Sequence, residues 1–135
     1  MAGEKSVLIV EDHELISRML RARLEKDGFV VTQALNGEEA IKFLQTNRPS
    51  LIILDVVMPK VSGFDVMKSI ADNPSLSGVP IMVLSNLSQE SDVKKVEDLG
   101  AKKYLVKSRV SLDQIVATTK GMLEPSSASV PANVS

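Results

Sequence analysis

The stretch "LIILDVVMPKVSG", residues 51–63, decides how this chain is read. Four apolar residues, Leu51 to Leu54, run directly into Asp55, and Met58-Pro59 and Gly63 follow at once. A folded chain buries such a run, whereas a carboxylate stays in water unless it is paired. A short, continuously apolar run with β-branched content reads as a strand covered on both faces, the pattern of a parallel sheet. A carboxylate at its end then stands at the sheet's carboxyl edge, where open α/β sheets bind their ligands.

Working outward, four more short apolar runs appear, Val7–Val10, Phe29–Ala34, Ile81–Leu84 and Lys103–Val106, of which Val7–Val10 and Ile81–Leu84 are likewise almost continuously apolar. Segments with helical spacing lie between and after them. In His13–Asp27 the residues Leu15, Ile16, Met19, Leu20 and Leu24 form one expected apolar stripe. Ala40, Ile41 and Leu44 do the same in Glu38–Thr46, where Asn36 and Glu39 have the spacing of an N-terminal cap. Val66, Met67 and Ile70 mark a third helix; Val93, Val96 and Leu99 mark a fourth, stopped by Gly100. Ser111 and Gln114 have capping-box spacing before Leu112, Ile115, Val116, Thr119 and Leu123. The alternation predicts an α/β fold: a doubly wound five-stranded parallel sheet with five helices on both faces.

Composition sets the boundaries. The 135 residues suit one domain, and 44% apolar with 24% charged residues is an ordinary globular balance. A net charge of −1 gives no electrostatic footprint for nucleic acid. With no cysteine, disulfides and thiolate chemistry are excluded. No apolar run approaches the roughly 18 residues that cross a bilayer, and the opening "MAGEKSVLIVEDHE" has no signal-peptide pattern, so no membrane insertion and a cytoplasmic location are expected. Residues 1–4 read as an N-terminal extension, and "EPSSASVPANVS" (124–135) as a disordered tail or linker stub.

The strand ends carry the chemistry. The first run ends in Glu11-Asp12, the third in Asp55, the fourth in Ser85-Asn86 and the fifth in Lys107. Each has an ordinary reading alone, as turn residue, helix-dipole partner or surface lysine. His13 reads as a solvated helix residue. Together, three carboxylates at one edge repel, and a hard divalent cation resolves the repulsion; an all-oxygen set suits magnesium, with manganese as the alternative. Lys107 and Ser85 then supply a point charge and a donor for phosphoryl oxygens, and an Asp can itself accept the phosphoryl group.

Over residues 5–123 the chain resembles the receiver domain of two-component response regulators. The resemblance is carried by Glu11-Asp12 after "VLIV", by "LIILDVVMPKVSG", by Ser85 after "PIMVL", and by Tyr104 and Lys107 in "GAKKYLVKS". It implies that Asp55 accepts a phosphoryl group from a histidine kinase or a histidine phosphotransfer protein. Glu11, Asp12, Asp55 and the Val57 backbone carbonyl are implied as magnesium ligands, and Lys107, Ser85 and Asn86 as phosphoryl-binding groups. Ser85 and Tyr104 are implied as the switch that reshapes a protein-binding face for a downstream target, with a phosphorylation-linked dimer as a further possibility. The implied chemistry is self-phosphorylation and self-dephosphorylation, not turnover of a metabolite.

The pattern departs from the family's at Ser108, where proline usually follows the lysine, at Glu11, where Asp is commoner, and at Ser85, where Thr is also common. Val57 and Leu87 are apolar where polar or acidic side chains help to align the attacking water, so a long-lived aspartyl phosphate is expected. A pseudo-receiver that binds partners without phosphorylation ranks below this reading because every acid and Lys107 are present. An aspartyl-phosphate phosphatase would carry a second Asp, its general acid, where Val57 stands. A flavodoxin-type cofactor binder would need a phosphate-cradling loop after the first strand, and "VEDHEL" offers acids and no glycine.

Overall fold

The computed structural model describes residues 5–58, 60–86 and 90–123; Pro59, Leu87 and the segments 1–4 and 124–135 lie outside them. Five strands form one sheet: β1 (Ser6–Val10), β2 (Val30–Ala34), β3 (Leu51–Leu54), β4 (Ile81–Ser85) and β5 (Lys103–Val106). Their spatial order is β2-β1-β3-β4-β5, with every neighbouring pair parallel. The helices are α1 (Glu14–Lys26), α2 (Gly37–Leu44), α3 (Gly63–Ala71), α4 (Glu90–Asp98) and α5 (Leu112–Leu123), with short 3-10 turns at Pro74–Leu76 and Lys107–Arg109. The expected doubly wound fold is present, its strand limits moved by one residue at Ser6, Val30 and Ser85.

Alternation along the central strands divides the core in two. Leu8, Val10, Ile52, Leu54, Ile81 and Val83 face one layer, packed with Ala40, Leu44, Val66, Met67, Ile70 and Val96 from α2, α3 and α4. Val7, Ile9, Leu51, Ile53, Met82 and Leu84 face the other, against Leu20, Leu24, Ile115 and Val116 of α1 and α5. The sheet is buried on both faces, which is why its central strands read as unbroken apolar runs.

The α1 stripe is a correction. Leu20 and Leu24 are buried, but Leu15 and Met19 are 64% and 50% exposed. The fully buried position in their place is Ser17, whose hydroxyl accepts a 2.7 Å bond from Gln33 Nε2 on β2. Gln33 Oε1 in turn accepts from Arg21 at 2.9 Å. The helix meets the sheet's edge through a polar contact, a pairing that hydrophobic periodicity does not register.

Local chemistry ends the helices as their sequences indicate. Asn36 accepts from the Glu39 N–H at 2.8 Å, and the Ser111–Gln114 box is reciprocal at 2.7 and 3.1 Å. Gly100, at φ +110°, closes α4 by donating to Glu97, while the Ala101 N–H reaches back to Val96. A further capping box, Ser62 with Asp65, starts α3.

In the β3–α3 loop the strained backbone belongs to Lys60, at φ +62°, and not to Gly63. Gly63 is required for space: a Cβ there would lie 2.3 Å from Val56 Cα and 2.6 Å from the Asp55 carbonyl oxygen. Both are backbone atoms of the loop that carries Asp55, so they cannot rotate aside. Gly63→Ala is expected to lower stability by about 2 kcal/mol, within the range for overpacking. Gly121→Ala, on α5 with nothing within 4 Å of its Cβ position, is expected to raise it by roughly 0.5 kcal/mol. Urea midpoints distinguish the two, and a Gly63→Ala midpoint equal to that of the parent would show that the loop has room.

Candidate functional site

The strand order reverses between β1 and β3, since β1 leads outward to β2 and β3 leads to β4 on the other side. A crevice at the carboxyl edge follows from that reversal. Glu11 and Asp12 leave β1 on one side of it and Asp55 leaves β3 on the other. Carboxylate oxygens of Glu11, Asp12 and Asp55 lie within 4.8 Å of one another. Glu11 and Asp55 are buried, at 3% and 5% exposure, while Asp12 is exposed.

Lys107, at the end of β5, compensates part of this charge. Its ammonium stands 2.7 Å from Glu11 Oε1 and 2.8 Å from Asp55 Oδ2. The second Asp55 oxygen accepts from the Ser85 hydroxyl at 2.7 Å and from the Val57 N–H at 2.9 Å. Glu11 Oε2 accepts from the His13 N–H at 3.0 Å. His13 is the exposed residue preceding α1 and contributes through its backbone.

Burial pushes the Glu11 carboxyl above its ordinary range, and the hydrogen bonds from Lys107 and His13 offset this only in part. For Lys107, burial alone would lower the pKa; hydrogen bonds to Asp55 and Glu11, with the charges of both, outweigh it and raise the value above 10.5. Three formal carboxylates against one ammonium leave two negative charges. An all-oxygen donor set of that charge fits a magnesium-type cation.

Of the residues expected at the site, Glu11, Asp12, Asp55, Ser85 and Lys107 come together. Val57 sits beside Asp55 and is 59% exposed. The Tyr104 hydroxyl is 3.5 Å from the Ser85 carbonyl oxygen. Asn86 uses its side-chain carbonyl elsewhere, accepting from the Ser108 N–H at 2.8 Å. The described residues contain no cis peptide bond, so the Lys107–Ser108 bond is trans. Leu87 falls outside the described residues. Sequence reasoning did not find the Val57 N–H as a donor to Asp55, because every residue has such a group and only the loop's path aims it.

Residues 7–120 match the family model described as the response regulator receiver domain. The chain belongs to that family. It is 32% identical over 119 residues to the polar-differentiation response regulator DivK of Brucella anthropi, covering 88% of this chain and 96% of that one. It is 35% identical over 129 residues to the alkaline phosphatase synthesis transcriptional regulatory protein PhoP of Bacillus subtilis, covering 96% of this chain but 52% of that protein. Among solved structures, the chemotaxis protein CheY4 of Vibrio cholerae superposes with a TM-score of 0.82 at 28% identity, over 90% of this receiver and all of that chain. The phosphorylated cyanobacterial phytochrome response regulator RcpA superposes at 0.81 with 29% identity, over 92% and 96% of the two chains. No helix among the described residues of the receiver is long and apolar enough to cross a membrane.

Removing the ammonium leaves two buried carboxylates without their cation, so Lys107→Met is expected to cost about 3 kcal/mol in metal-free buffer. The Lys107 pKa is raised on folding, so its contribution is complete below 10.5 and disappears as pH rises through the higher folded-state value. The gap between parent and Lys107→Met urea midpoints is therefore expected to be steady at neutral pH and to close in strong alkali. A gap unchanged at high pH would contradict the pairing.

Proposed function

We propose that Asp55 is the phosphoacceptor of this receiver, taking the phosphoryl group from a phosphohistidine on a histidine kinase or phosphotransfer protein. The observation that carries the reading is the convergence of Lys107, Ser85 and the Val57 N–H on the two oxygens of one buried carboxylate. In the transfer, an Asp55 oxygen attacks phosphorus, the P–N bond breaks, and the bonding pair leaves with the imidazole. Lys107 is held where it balances the negative charge gathering on the phosphoryl oxygens, and Ser85 donates to one of them. Asn86 keeps its amide end as a further donor. Glu11, Asp12, Asp55 and the Val57 carbonyl would hold magnesium or manganese, which neutralises phosphoryl charge when bound.

Phosphorylation replaces the Asp55 charge with a dianion; the Ser85 hydroxyl, already bonded to Asp55 at 2.7 Å, passes its bond to a phosphoryl oxygen and Tyr104 follows, so that the surface formed by α4, β5 and α5 presents a different face to a downstream protein. A phosphatase reading lacks its general acid, since the position two residues after Asp55 is an exposed valine. The protein is expected to take up acid-labile phosphate from acetyl phosphate with magnesium, and Asp55→Asn to take up none. Labelling that survives Asp55→Asn would place the acceptor elsewhere.

The lifetime of the phosphorylated state follows from Val57 and Leu87. Neither side chain can orient a water for attack, so decay is expected to be slow. Val57→Asn Leu87→Glu is expected to shorten the half-life by roughly ten-fold or more, within the scale of positioned proton-transfer groups. Equal decay of parent and variant would remove the two residues from the timing.

A further inference from the structure

We propose that Asn86 is a positioning residue for Lys107, acting as a cap supplied from a neighbouring strand. The inference rests on the function proposed above for Lys107 and deepens it.

Lys107 opens a 3-10 turn of three residues, Lys107–Arg109. The first N–H groups of such a turn have no partner within it and need a cap. The residue before it, Val106, has an apolar side chain and supplies none. The missing acceptor comes from the residue that follows β4: Asn86 Oδ1 takes the Ser108 N–H at 2.8 Å. The β4–β5 ladder ends at the pair Ser85↔Val106, so this bond extends the pairing past the last register position, with a side chain in place of a backbone carbonyl.

The placement matters because of what lies on either side. Ser85, one residue before Asn86, donates to Asp55, and Lys107, one residue before Ser108, bridges Asp55 and Glu11. A lysine side chain has four rotatable carbons and no rigidity of its own, so its reach depends on where its backbone is fixed. The Asn86–Ser108 bond fixes that backbone to the strand end that carries Ser85. The two groups facing Asp55 from this side therefore move as one body. A proline at 108 would have no N–H to offer, so the device depends on serine, or another residue with a backbone N–H, at that position.

The test compares Asn86→Leu, which keeps the bulk and loses the acceptor, with Asn86→Asp, which retains an acceptor, and Ser108→Ala, which retains the N–H. In metal-free, unphosphorylated protein, Asn86→Leu is expected to speed Ser108 amide exchange about five-fold, the factor expected for one net hydrogen bond. It is also expected to shift the Lys107 ammonium resonance. Asn86→Asp is expected to retain Ser108 protection, and Ser108→Ala to match the parent in both signals. Parent-like Ser108 exchange in Asn86→Leu overturns the proposal, and so does faster exchange with an unmoved Lys107 signal. Both signals are read without metal or phosphate, so they judge this inference even if the parent itself takes up no phosphate.

Discussion

The structure turns on one ammonium placed between two buried carboxylates. Lys107 meets Glu11 and Asp55 at 2.7 and 2.8 Å, with both acids almost wholly removed from water. Neither acid would be tolerated at that depth uncompensated, and the lysine repays only part of the cost. Asp12 adds a third carboxylate at the exposed rim. What remains is a fixed excess of negative charge in a crevice lined with oxygen donors, held in place by a core that has no stake in it.

That separation is a property of the sheet. The two apolar layers are built from alternate residues of β1, β3 and β4 and from one face of each helix. None of the residues converging on Asp55 belongs to either layer. The strands end together at one edge, and the parallel arrangement delivers Glu11, Asp55, Ser85 and Lys107 there from four separate strand ends. Packing and the polar site are thus assigned to different parts of four of the strands: the body packs and the end carries the site. Gly63 shows how tightly the two are joined, because its missing side chain is what lets α3 begin against the backbone of Val56 and Asp55.

Much of this could be read from the chain alone, for identifiable reasons. Val7–Val10, Leu51–Leu54 and Ile81–Leu84 are short, unbroken and apolar, so burial on both faces followed from local composition. The acids and Lys107 were conspicuous because they interrupt those runs at their ends. The readings that failed or were missing depend on a partner distant in sequence. Leu15 and Met19 look like core residues until α1 is seen to meet β2 through Ser17 and Gln33. Gly63 looks like a turn glycine until the backbone beside it is placed, and the turn's left-handed residue is Lys60. Asn86 reads as one more strand-end polar group, and nothing local reveals that its carbonyl belongs to Ser108.

The contact between the Tyr104 hydroxyl and the Ser85 carbonyl has a spectroscopic consequence. The chain has one tyrosine, no tryptophan and three phenylalanines, so a single phenol dominates its near-ultraviolet spectrum. That phenol lies against the strand end whose hydroxyl faces Asp55. The molecule therefore carries an intrinsic optical label beside its acidic crevice, where absorbance or emission changes in a solution of unmodified protein report on one ring.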